Sequence, residues 1–241
     1  MKLSKKANHP AWALNCFVQG LKWTFKPELR KFIVIPVLIN FVLYGALIAL
    51  GYHYVADWIA HFIPDWLSWL SGLLWPLFFI SFFVIGFFTF SIVANLIASP
   101  FYGALSAKTA ALLTGNAQGF EEPPIAKIAA AELKRFVYLG SRALPLVIIS
   151  IIPGVNLAAP FLWAVFGAWG AALEYLAYPL ENQGLLFTEQ REWLKSARFG
   201  SMSFGGVTMF GLTLPLLNIL VAPAAVIGAT IYVLGAEEYE A

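Results

Sequence analysis

Charge is scarce in this chain of 241 residues. Asp, Glu, Lys and Arg together make up 12% of it, about half the share usual in a soluble globular protein. That is too little to build a polar shell around a water-soluble fold. Cysteine occurs once, at Cys16, which excludes an intramolecular disulfide and any paired-cysteine metal motif. Histidine is almost as rare. His53 and His61 stand near a helix end with no ligand partners in the pattern, so no metal site is expected. There is no Gly-rich phosphate loop, no zinc-protease motif and no nucleophile elbow. An ATP-driven pump contained in this chain is therefore not expected, and a membrane enzyme lacks any convergent catalytic set. No cofactor is called for. The basic residues do not interleave with exposed aromatics, so a nucleic-acid partner is not expected either.

Apolar length is what the chain does have. It is 60% hydrophobic, with a mean hydropathy of +0.76. Spanning structure in lipid is either helical or a closed barrel, because every backbone polar group must be satisfied internally. A barrel needs alternating segments of about ten residues. The runs here are long and continuous, so the fold class is an all-α integral membrane protein.

The chain reads as one membrane domain over residues 1–241. Residues 1–31 form a basic interfacial segment, with Trp12, Leu14, Phe17, Val18 and Leu21 spaced for a short amphipathic helix. It holds seven Lys or Arg against one acid, Glu28, and the Lys/Arg asymmetry places it on the cytoplasmic side. Residues 32–56 are the first spanning helix. No Lys, Arg, Asp or Glu interrupts them, and a crossing takes about 20 apolar residues. The stretch is too long for a signal-peptide core, so it is read as a permanent helix. The loop after it carries Asp57, Trp58, His61, Pro64, Asp65 and Trp66 with no Lys or Arg. Residues 66–101 are the second spanning helix, with Pro100 and Gly103 marking a bend at its end. Residues 103–136 are a cytoplasmic segment with a Gly115–Gly119 turn, Pro123-Pro124, and an amphipathic helix from Ile125.

Two Pro-broken apolar hairpins follow, at residues 137–178 and 199–235. In the first, Pro145 interrupts one arm, Pro153-Gly154 ends it, and Pro160 opens the return. In the second, Pro215-Leu216-Leu217-Asn218 is the break and Pro223 follows. Both breaks place Asn three residues after Pro, at Asn156 and Asn218. Neither tip carries a charge. Tight apolar turns of this kind fit re-entrant hairpins shielded by protein; four ordinary short spans are the alternative.

Residues 26–31 are the best place for chemistry. Pro27 suits the first helical position and makes Lys26 the N-cap, although its side chain cannot cap. The N–H groups of Glu28 and Leu29 are then expected to stay open, and a helix start attracts an anion. Arg30 and Lys31 add charge, and Arg grips a tetrahedral oxyanion through paired hydrogen bonds. The competing reading makes the same basic residues anchors for lipid headgroups. Arg142 and Glu174 are the ionisable residues most enclosed in apolar sequence. They sit at matching depth in the first hairpin and are a candidate buried ion pair; the alternative is a snorkelling Arg and an interfacial Glu. Gly167 to Ala171 offers a small-residue face for close packing or oligomerisation.

Several pieces together resemble one family. They are Lys26-Pro27-Glu28-Leu29-Arg30-Lys31-Phe32 with Pro36 and Asn40, Ala94-Asn95-Leu96-Ile97-Ala98-Ser99-Pro100-Phe101, Tyr175-Leu176-Ala177-Tyr178-Pro179-Leu180-Glu181-Asn182, and the two hairpin breaks. The chain resembles the bacterial sulfate permease CysZ family, which has an etoposide-induced-protein-like membrane domain. The resemblance implies a multi-pass protein of the bacterial inner membrane that admits sulfate for cysteine biosynthesis. It implies two long transmembrane helices plus two re-entrant hairpins, assembled as a homo-oligomer, with sulfate and membrane lipids as partners. It puts sulfate near Arg30 and Lys31 and the helix-start backbone of Glu28 and Leu29. Lys31 departs from the Arg-Arg pair of the family pattern and gives up a planar fork. The second function class is a structural or regulatory membrane protein whose basic collar binds anionic lipid.

Overall fold

The computed structural model describes residues 3–62, 69–115, 125–214 and 217–236, and over them every regular element is a helix. In order these are α1 (Pro10–Trp23), α2 (Pro27–Phe62), α3 (Ser71–Thr114), α4 (Ile125–Ile151), α5 (Ala159–Tyr175), α6 (Ala177–Glu181), α7 (Phe187–Ser196), α8 (Arg198–Leu212) and α9 (Asn218–Ala236). Short 3-10 turns occupy Lys5–Asn8 and Val155–Ala158. The sequence features at Pro64 to Trp66, the Asn116 to Pro124 loop, the Pro215-Leu216 break and the acidic tail lie outside the described residues.

The helices are longer than hydropathy alone predicts. α3 does not end at the expected bend but runs on through Pro100 and Gly103 to Thr114. A proline removes one backbone hydrogen bond. Unwinding the chain in apolar surroundings would leave several groups unsatisfied, so the helix persists. α4 likewise joins the amphipathic stretch from Ile125 to the first hairpin arm as one helix, with Pro145 inside it. The polarity change near residue 137 does not break its backbone.

The chain divides into two compact units, Ile33–Phe101 and Met1–Phe32 with Tyr102–Ala241. In the first, α2 and α3 run antiparallel. The Tyr44 hydroxyl meets the Thr89 hydroxyl at 2.8 Å, and farther along Tyr52 lies 4.9 Å from the Trp75 ring. Their outer faces carry exposed Phe41, Val42, Phe83 and Ile85. Water does not tolerate so much contiguous apolar surface, which identifies hydrocarbon as its solvent.

The second unit is built around α9. Tyr232 is fully buried and touches rings from three other helices: Trp12 of α1, Trp193 of α7 and Phe204 of α8. Its hydroxyl donates to the Ala7 carbonyl. Ser106 of α3 and Thr230 of α9 share a buried hydrogen bond of 2.9 Å. α1 buries Ala13, Cys16, Phe17 and Gly20, spaced three, one and three apart, which is one helical face. Gly20 lies against Gly228, so a Cβ on Gly20 would come within 2.2 Å of the Ala224 carbonyl. The small-residue face of α5 is used inside the chain, where Gly205 of α8 approaches Ala168 and Ala172.

α4 and α5 form the first helical hairpin. Gly154, at φ 83°, makes its turn. Two indoles pin the arms: Trp163 donates to Ser150 near the turn at 3.0 Å, and Trp169 donates to the Tyr138 hydroxyl at 3.1 Å. Among the described residues three helical stretches are long and apolar enough to cross a membrane, Pro27–Tyr54, Val155–Glu181 and Asn218–Ala236. The molecule is thus a largely membrane-embedded helical bundle.

The α1–α9 contact yields two expectations. Gly20→Ala should lower stability by roughly 1–3 kcal/mol through overpacking, read by thermal unfolding in detergent. Gly140→Ala, where an added Cβ meets nothing within 4 Å, should be neutral or slightly stabilising; equal losses in both would contradict the packing. Burial pushes the Cys16 thiol up to about 12, with Lys6 opposing weakly. Between pH 7 and 9 it stays protonated, so maleimide should label it only after unfolding. Prompt labelling of the folded protein would mean that α1 does not dock as described.

Candidate functional site

The basic collar is an elbow between α1 and α2. At the end of α1 the Thr24 hydroxyl donates to the Gly20 carbonyl at 2.9 Å, and the Lys26 N–H donates to the Trp23 carbonyl. Pro27 then opens α2, as its missing N–H and fixed φ favour. Leu29 is fully buried and anchors the first turn, while Glu28, Arg30 and Lys31 are exposed around it.

The two expected backbone donors differ. The Leu29 N–H is taken by the Lys26 carbonyl at 3.1 Å, which also accepts from Arg30 N–H at 3.2 Å. Glu28 N–H makes no hydrogen bond with the described residues, and it faces the positive end of the helix. Arg30 Nε donates to the Phe25 carbonyl at 2.9 Å. That bond fixes the guanidinium plane and leaves both terminal nitrogens for an anion. Lys26 Nζ sits 3.0 Å from the Trp23 ring centroid, and Lys31 Nζ 5.0 Å from the Phe32 ring. Three cations against one carboxylate make the elbow electropositive.

Arg142 and Glu174 are not brought together. No ion pair joins them among the described residues. The Arg142 guanidinium stacks on Tyr138 at 3.6 Å and donates to the Tyr138 carbonyl. Glu174 enters no ion pair among the described residues. An aromatic face one helical turn away is nearer than any carboxylate on the return arm, so the cation takes it.

Arg135 is the polar centre that sequence reasoning left as part of an amphipathic helix. Its side chain is only 12% exposed. It pairs with Glu132 at 3.1 Å and with Glu181 at 3.2 Å, and donates to Gln190 at 2.8 Å. Gln190 donates in turn to the Leu185 carbonyl and to Glu181. The network clamps α4 to α6 and α7. Its partners are 46 and 55 residues away, and the only local signal was Glu132 three residues before Arg135.

These features define a multi-pass helical membrane protein with a cationic helix start just after the docked helix α1. The family model described as sulfate transporter CysZ/etoposide-induced protein 2.4 matches residues 16–223. The sulfate transporter CysZ of Pseudomonas aeruginosa is 39% identical over 226 residues, covering 89% of this chain and 91% of that protein. Its counterpart in Pseudomonas syringae pv. tomato is 40% identical over 227 residues, covering 89% and 88%. That of Pseudomonas fluorescens is 40% identical over 223 residues, covering 89% of each. The chain belongs to the CysZ/etoposide-induced-protein family.

Proposed function

We propose that this chain carries sulfate across the bacterial inner membrane and so supplies cysteine biosynthesis. The observation that carries this reading is similarity along 89% of the chain to proteins named as sulfate transporters. The family is one of transporters, so the chain is not read as an enzyme. The elbow supports the substrate: Arg30 offers a pre-oriented fork, Lys31 adds a point charge, and Glu28 presents an N–H. Leu29 contributes by burial, holding the turn in place. A dianion cannot enter hydrocarbon unaided, so the route needs a hydrated or polar path, which we assign to a homo-oligomer. The N-terminal segment then lies on the cytoplasmic side by its excess of Lys and Arg.

In this reading the two hairpins are re-entrant. The support is the surface of the first tip, where Ile151, Ile152, Val155, Leu157 and Phe161 are all exposed, Leu157 at 78%. A tip of this composition seeks hydrocarbon or a protein partner rather than water. The lipid-binding reading of the collar keeps one observation in its favour. Phe25 is 60% exposed beside the cations, as an interface anchor would be.

Purified protein in liposomes should take up labelled sulfate saturably. A charge-assisted hydrogen bond is worth about 1.5 kcal/mol or more, so Arg30→Ala with Lys31→Ala should weaken sulfate binding at least about tenfold. Absence of uptake in vesicles with verified insertion would instead favour the lipid-binding reading. In a Cys16→Ser background, cysteines placed at Asn156 and Asn218 should resist a membrane-impermeant thiol reagent added from the periplasm. Rapid labelling there would establish full crossings.

A further inference from the structure

α4 and α7 enclose an open cleft of about 430 Å³, apart from the elbow and from the hairpin tips. Its floor is apolar, made by Leu133, Val137 and Phe187, and it carries two cations, Lys134 from α4 and Arg191 from α7. Lys134 is exposed and enters no ion pair with the described residues. Arg191 lies 5.6 Å from the Tyr138 ring centroid and pairs with Glu192 at 3.0 Å. Glu192 is the exposed member of that pair and Arg191 is half-buried, so the pair holds the guanidinium weakly; with Nε buried, three further N–H groups remain on the terminal nitrogens. The neighbouring carboxylates are committed elsewhere as well: Glu192 also pairs with Lys195, and Glu132 pairs with Arg135.

The position of the cleft narrows its occupant. α7 is a polar connector between the hairpins, burying only Phe187, Gln190, Trp193 and Leu194. α4 leaves the cleft with an exposed apolar stripe, Leu133, Val137, Leu144 and Ile148, at the spacing of one helix face. Cations therefore stand where a polar surface gives way to exposed hydrocarbon. A free inorganic anion has no use for the apolar floor. A zwitterionic lipid brings no net charge for the two cations.

We propose that this cleft binds an acidic phospholipid, its phosphate on Lys134 and Arg191 and an acyl chain along the α4 stripe. Basic pockets at the membrane surface recognise anionic headgroups by this combination of charge and apolar contact. The site is separate from the elbow and does not depend on what the elbow binds.

The test titrates the purified full chain, in neutral detergent, with phosphatidylglycerol, phosphatidylcholine or inorganic sulfate, and follows thermal unfolding and lipid retention by native mass spectrometry. Phosphatidylglycerol should raise the unfolding temperature and stay bound, and phosphatidylcholine should do neither at the same concentration. Lys134→Ala, at an exposed position that does not endanger folding, should lower the apparent affinity for phosphatidylglycerol about fivefold, and Lys134→Arg should restore it. Arg191→Gln should act in the same direction. Arg30→Ala with Lys31→Ala should keep the full response, and the effect of sulfate should be the same in wild type and Lys134→Ala. Equal responses to both lipids, or unchanged affinity in Lys134→Ala, would overturn the proposal. Loss of the lipid response in the Arg30/Lys31 variant would move the lipid to the elbow. A sulfate response abolished by Lys134→Ala would give the cleft to a free anion, and either result overturns it.

Discussion

The close approach of α1 to α9 is the constraint on which the second unit depends. Two glycines, Gly20 and Gly228, let the backbones meet, and a Cβ on Gly228 would lie 2.9 Å from the Cys16 carbonyl. Tyr232, one turn farther along α9, then gathers α1, α7 and α8 around a single ring. The consequence reaches the elbow. α1 ends only four residues before α2 begins, so docking α1 fixes where Pro27 starts its helix. Burial of Leu29 fixes the rotation of that first turn. The exposed direction of Arg30 and Lys31 is therefore set by the docking of α1 and the burial of Leu29, not by the charge of the basic residues themselves.

Two helices of comparable hydropathy answer to different solvents. Of the most apolar part of α2, 11% is buried within the protein, against 78% for α9. Lipid tails are as apolar as Leu, so burial of α9 gains little from the hydrophobic effect inside a membrane. What holds it is close packing of small residues, aromatic contact and the buried Ser106–Thr230 hydrogen bond. This accounts for the many Ala and Gly positions in α9 and α8, where α2 and α3 carry Leu, Ile and Phe. A helix that meets lipid needs bulk; a helix that meets other helices needs surfaces that let backbones approach.

Much of this was legible in the sequence, and its limits have physical reasons. Scarce charge and long apolar runs gave the helical membrane class. Pro27 after Lys26 marked the helix start at its observed position, and Pro153-Gly154 marked the first turn. The end of α3 and the interruption of α4 at Pro145 were misplaced because proline was read by the rules of water, where an unwound backbone can bond to solvent. In hydrocarbon it cannot. The Arg142–Glu174 pair was inferred from equal depth, but depth does not fix direction around a helix axis, and Tyr138 lay closer. The Arg135 network was invisible because its partners are separated by tens of residues and come from short polar helices without a motif. One of the two backbone donors expected at the elbow, that of Leu29, is spent in the first turn, a detail below the resolution of pattern.

The distribution of charge separates the two arginine centres by what each can do. Arg135 is surrounded by Glu132 and Glu181, so the cluster is net negative before any ligand arrives. An anion entering it would meet two carboxylates and a guanidinium already bonded at both terminal nitrogens. Such a centre clamps helices and repels anions. At the elbow the order is reversed. Arg30 gives its Nε to a neutral carbonyl and keeps its terminal nitrogens, and Lys26 and Lys31 outnumber Glu28. Coulomb attraction near a protein surface is several-fold stronger than in bulk water, so an excess of uncommitted positive charge, rather than the number of basic residues, decides where a tetrahedral dianion can shed water. On that criterion the proposed anion site belongs at the elbow rather than in the more elaborate network.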